Sequence, residues 1–96
     1  MERVSLDFVI DEIVDLLLLN KSVLLVSDNL NYNEIVFELK ENFEDVPLYN
    51  FNFVQTNNLI TVKGHSKLYD KVIVYMGSEE ETETAKMVLE KEIIVF

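Results

Sequence analysis

Asp7, Asp11 and Asp15 recur at intervals of four residues with Glu12 among them, the most regular chemical pattern in the chain. On a helix rising 1.5 Å per residue, that spacing sets carboxylates about 6 Å apart along one stripe. No Lys or Arg on the same face offsets them, and like charges so placed weaken an isolated helix by roughly 0.2–0.5 kcal/mol per pair. The interval resembles that of phosphates along a nucleic-acid strand, so the stripe fits a DNA-mimic surface offered to a basic protein. The plainer reading of the same residues is an ordinary solvated helix face.

Other reactive side chains are sparse. His65 is the single histidine, and Ser66, Asp70 and Asp28 are its conceivable partners. A Ser/His/Asp mechanism needs a held nucleophile, a base oriented by the acid, and an oxyanion site. Adjacent His65 and Ser66 point apart in extended backbone and lack a nucleophile-elbow glycine pattern, so His65 reads as a solvated loop residue. Asp28 follows an apolar run, at the position where open α/β sheets place ligands, but its ordinary role is that of a turn residue bonding its own backbone. A magnesium site from Asp28 and Asp70 needs oxygen ligands converging from two loops, which spacing alone does not establish. The reading therefore assigns no catalytic, cofactor-binding or metal-ligating residue and expects no enzyme.

Two further acidic groups lie on the later helices, the first of them with a local explanation. Glu79, Glu80, Glu81 and Glu83 suit the start of a helix, and Glu38, Glu41, Glu44 and Asp45 are partly balanced by Lys40. Together the chain carries 18 Asp and Glu against 8 Lys and Arg, a formal charge of −10. Direct nucleic-acid binding is disfavoured, since phosphate contacts draw on clustered cations. A basic protein partner fits better, although such a charge also simply keeps a small protein soluble.

The elements that must position these residues follow from periodicity. Residues from about Ser5 to Leu19 read as an amphipathic helix, with Leu6, Val9, Ile10, Ile13, Leu16 and Leu17 inward. Ser22 to Ser27 (SVLLVS) is a continuous apolar run, as in a parallel strand covered on both faces. A helix from Tyr32 to Phe43 follows, with capping-box spacing at Asn31 and Glu34 and an inner face of Tyr32, Ile35, Val36, Leu39 and Phe43. Phe37 falls outside that face. Tyr49, Phe51 and Phe53 alternate with asparagines as a strand with one wet face, and Asn57-Asn58 reads as a hairpin turn into Leu59 to Lys63. Lys71 to Met76 (KVIVYM) is a second buried strand. Ser78 and Glu81 then cap a third helix running to about Glu92, with Ala85, Val88, Leu89 and the stem of Glu92 inward and Met87 off the stripe. Ile93 to Phe96 closes as a short strand.

The fold class is therefore α/β: a small two-layer or three-layer domain spanning 1–96, with a mostly parallel sheet, one antiparallel hairpin, and the order αβαβββαβ. The absence of cysteine fits a reducing interior. The longest apolar stretch, Leu16 to Leu19, is far short of a membrane span, so the expected compartment is the cytoplasm, with no membrane partner. Exposed Phe37 and Met87 and unpaired strand edges favour a homodimer.

The run from Leu6 through SVLLVS to Phe43, followed by "NNLITVKG" and "YDKVIVYMG", resembles the ATPase core of phage terminase and helicase-type P-loop proteins. The resemblance covers about Leu6 to Gly77 and rests on pattern. That family's Gly-rich phosphate loop, with its Lys and Ser/Thr, has no counterpart here, and Tyr75-Met76-Gly77 stands where Walker B carboxylates would end the strand. It implies a fold kept and a chemistry lost, so no family site residue carries over.

The resulting expectation is a non-enzymatic, phage-encoded acidic accessory protein that binds and inhibits or modulates a basic nucleic-acid-binding protein in the host cytoplasm. Its contact surface would be Asp7, Asp11, Glu12 and Asp15. The alternatives are a degenerate P-loop subunit docking on an active partner, and a small metal-dependent hydrolase or nuclease using Asp28, His65 and Asp70.

Overall fold

The computed structural model describes residues 4–43, 45–89 and 93–96. Helix α1 spans Leu6–Leu18, and Ser5 caps it, its hydroxyl accepting the Phe8 N–H at 3.2 Å. Val9, Ile10, Ile13, Val14 and Leu17 are buried along one stripe. The chain then reverses at Asn20, which sits in the left-handed region at φ 61°, a conformation asparagine tolerates better than most residues. Strand β1, Val23–Ser27, follows with all five residues buried.

Asn31 caps helix α2, Tyr32–Asn42, by accepting the Asn33 N–H at 2.8 Å. Ile35 and Leu39 are buried, while Val36 and Phe43 are half-buried. Tyr32 is exposed, but its ring lies against those of Phe51 and Phe53, with centroids 6.4 and 6.1 Å away. After a 3-10 turn at Leu48–Asn50 come strand β2, Phe51–Gln55, and helix α3, Leu59–His65. A second 3-10 turn, Ser66–Leu68, leads into strand β3, Lys71–Val74; helix α4, Glu79–Val88, and strand β4, Ile94–Val95, complete the order.

The four strands form one sheet, β2-β1-β3-β4, parallel throughout. Because parallel crossovers keep a single hand, the reversal of direction after β2 sends α2 to one face and both α3 and α4 to the other. The contacts bear this out. On one face α1 and α2 pack against Val23, Leu25, Phe51 and Ile73. On the other, α3 and α4 pack against Leu24, Val26, Val72 and Val74. Alternate residues of β1 thus feed two separate cores, which explains its unbroken apolar run.

The α/β class is as expected, and the sandwich has three layers. The antiparallel hairpin is not formed: Leu59 to Lys63 lies in α3, and the order is αβαβαβαβ. Parallel strands need a crossover rather than a tight turn. Asn58, read as a turn residue, caps that crossover helix by accepting the Ile60 and Thr61 N–H groups at 3.0 and 3.2 Å. Tyr49 lies in the 3-10 turn rather than in the strand. In α4 Thr82 and Ala85 are buried and Val88 is exposed, so the inner stripe is shifted from the expected one. The expected extension to Glu92 falls outside the described residues.

Candidate functional site

The aspartate stripe is exposed as its spacing requires, at Asp7, Asp11 and Asp15, whereas Glu12 is half-buried. What the stripe faces could not be read from periodicity. Asp7, Ile10 and Asp11 of α1 meet Glu38 and Phe43 of α2 across a groove of ≈ 410 Å³. A second depression of ≈ 350 Å³ runs on from it through the shared Glu38, lined by Leu6, Glu34, Ile35 and Phe37 among others. Carboxylates from two helices therefore border a trough made of two depressions that share Glu38, and among the described residues no Lys or Arg lines either part. Phe37, exposed beside it, adds an aromatic surface. The α4 glutamates sit with α3 on the far side of the sheet and contribute nothing to the trough.

A different acidic site lies at the carboxyl ends of the strands. Strand order reverses between β1 and β3, the position at which open α/β sheets leave a crevice. After β1, the buried Ser27 hydroxyl donates to Asn29 Oδ1 at 2.8 Å and accepts the Asn29 and Leu30 N–H groups, fixing the loop. Asp28 Oδ1 accepts the Gly77 N–H at 2.7 Å, joining this loop to the end of β3. Beside them is a cleft of ≈ 320 Å³, floored by Leu59 and Met76 and rimmed by Asn57, Ser78, Glu80 and Glu81. The first turn of α4 carries Glu79, Glu80 and Glu81, and this acidic charge opposes a phosphate at its amino end. The cleft suits cationic or apolar groups, not anions.

The family, curated-protein and solved-structure comparisons return no match for this chain.

Glu81 was read as one half of a capping box. Ser78 does cap α4, its hydroxyl accepting the Glu81 N–H at 3.2 Å. The Glu81 carboxyl instead turns to Asp28, and this contact raises its pKa above the ordinary value, with partial desolvation and the charges of Asp28 and Glu80 adding to the shift. That role depends on two loops distant in sequence, so local spacing held no signal for it.

The constellation of Asp28, His65 and Asp70 is not assembled. Asp28 follows β1 at the carboxyl edge of the sheet, whereas Asp70 precedes β3, and Val23 pairs with Lys71 in the register. Six residues of strand, at about 3.3 Å each, separate the two carboxyls by roughly 20 Å. Asp70 is engaged locally, accepting the Ser22 N–H at 2.9 Å and the Ser22 hydroxyl at 3.2 Å. His65 ends α3 and is half-buried. Among the described residues no group of three His, Cys, Asp or Glu is placed to hold a metal ion. Among them, too, no helix is long and apolar enough to cross a membrane.

Proposed function

We propose that the chain is an acidic accessory protein whose α1/α2 trough receives a basic segment of a nucleic-acid-binding protein and so competes with nucleic acid for it. The observation that carries this reading is the convergence of Asp7 and Asp11 from one helix with Glu34 and Glu38 from the next on a trough that, among the described residues, no lysine lines. Asp15 extends the α1 stripe by a further turn. Exposed Phe37 offers a stacking surface for arginine, which lies well over aromatic faces. A phage origin, which the P-loop-like pattern favours, would make the target a host or viral DNA-binding protein.

The test uses an arginine- and lysine-rich peptide as probe. Affinity falls steeply with ionic strength, because exposed charges are screened within about 10 Å at 0.1 M salt. D7K/D11K weakens binding at least tenfold with the circular dichroism spectrum unchanged. E79K/E80K, which alters net charge equally on the opposite face, leaves it within twofold. Equal losses from both variants, or affinity unchanged at about 0.5 M salt, would count against a defined acidic surface.

A further inference from the structure

Charge and apolar exposure are distributed unevenly between the two ends of the sheet. At the carboxyl end, the cleft above β3 has an apolar floor of Leu59 and Met76 and an acidic rim of Glu80 and Glu81, with Glu79 exposed beside it. Ile60, 82% exposed, stands next to that floor. At the amino end the pattern is inverted. Lys67 and Leu68 form the knuckle of the 3-10 turn before β3, and Leu68 is 70% exposed. Lys21 and Lys71 flank Asp70, whose carboxylate is already taken up by Ser22. Leu19 and Tyr49 are exposed at the same end, where the loops are joined by hydrogen bonds from Tyr49 Oη and Asn50 Nδ2 to Asn20 Oδ1.

We propose that the chain self-associates head to tail, the Lys67-Leu68 knuckle of one copy seating in the Leu59/Met76 cleft of the next. Leucine covers the apolar floor while the lysine meets the Glu80 rim. A second copy is the occupant because the ends are complementary in charge, the Lys67 ammonium of one facing the Glu80 carboxylate of the next, with exposed Leu68 beside it to meet Leu59. The two surfaces lie at opposite ends of the strand axis, so copies stacked end to end make a heterologous contact. A heterologous contact that does not close into a ring propagates. The surface is separate from the α1/α2 trough, so this inference stands or falls independently of the proposed function.

The net charge of −10 sets the conditions. At about 0.01 M salt, screening extends roughly 30 Å and whole molecules repel; at 0.15 M it shrinks to about 8 Å and local complementarity decides. Sedimentation velocity should therefore show masses that rise past the dimer with concentration near 0.15 M salt and fall at both about 0.01 M and 1 M. K67Q/L68N and E80K, each folded by circular dichroism, should each weaken association at least tenfold. Mixed together, they should form a dimer that grows no further, because one retains only the cleft and the other only the knuckle. A wild-type chain that stays monomeric at every salt concentration overturns the proposal, as does a closed dimer that neither variant disturbs. Monomers that instead sediment with vesicles of anionic lipid through Lys67 also overturn it and assign the amino end to a membrane surface.

Discussion

The Glu81 carboxyl, in the first turn of α4, faces the carboxyl of Asp28, in the loop after β1, and this contact raises the pKa of Glu81. Two carboxyls so close are held together only when a proton lies between them. Asp28 also accepts the Gly77 N–H at 2.7 Å. Glu81 Oε2 is shielded from water and has no hydrogen-bond partner, which disfavours the charged form of its carboxyl. The pair therefore ties the β1–α2 loop to α4 across the strand-order reversal, and the strength of the tie depends on pH.

The direction of that dependence follows from linkage. Glu81 holds its proton more tightly folded than its ordinary value of 4.5 allows, chiefly through the contact with Asp28. Its contribution is therefore complete below that value and is lost as pH rises through the raised folded pKa. Urea midpoints measured from about pH 4 to pH 7 should show wild type losing this increment, while E81Q, whose amide donates to Asp28 at every pH, does not. The E81Q midpoint at pH 7 should match or exceed that of wild type. Parallel curves for the two proteins would remove the shared proton.

Asp70 carries the opposite sign at the other end of the sheet. Its pKa is lowered from 3.8, first by the Ser22 backbone hydrogen bond and then by the Ser22 hydroxyl, Lys21 and Lys71, against some desolvation. Its contribution is present above 3.8 and lost as pH falls through the depressed folded pKa. D70A should lower the urea midpoint at pH 7, and the gap should close at about pH 3 or below. A gap that persists in acid would place the effect in packing rather than charge.

Much of the scaffold was legible because burial leaves strong periodic traces. Val23 to Ser27 and Lys71 to Val74 are apolar runs since helices cover both faces of the sheet, and the stripe of α1 is likewise dictated by its packing. Leu59 to Lys63 misled because Ile60, Thr61 and Val62 are three successive β-branched residues, a strand-like composition, and only Val62 of α3 is buried. The deciding constraint was topological: β2 and β3 both pair in parallel with β1, so a crossover had to separate them. The aspartate stripe was legible as a stripe, but its convergence with Glu34 and Glu38 depends on how α2 lies beside α1. The Asp28–Glu81 contact was invisible for the same reason, since it links loops brought together only by the sheet.

Gly64 tests the crossover helix directly. It lies inside α3, its φ is not positive, and a Cβ built there meets nothing within 4 Å. Glycine in a helix interior is less favourable than alanine by roughly 0.5–1 kcal/mol. G64A should therefore stabilise the protein by about that amount in urea titration. In a strand and hairpin at this position the same change would gain little, so an unchanged midpoint would speak against the helix.

Gly77 is constrained by space rather than by backbone conformation. Its φ is not positive, but a Cβ there would stand 3.1 Å from Asn29 Cγ and 3.2 Å from Asn29 Cβ and Nδ2. Asn29 cannot swing aside freely, because its Oδ1 accepts the Ser27 hydroxyl at 2.8 Å and so helps hold the loop that carries Asp28. G77A should cost about 1 kcal/mol, the lower end of the range for overpacking, since both residues are exposed. N29A removes the obstructing atoms at the expense of the Ser27 bond. In the double variant the two penalties should not add, leaving a coupling of about 0.5 kcal/mol or more in a double-mutant cycle. Strictly additive penalties would mean that the two loops do not touch at this point, and the cleft beside them would have to be drawn wider.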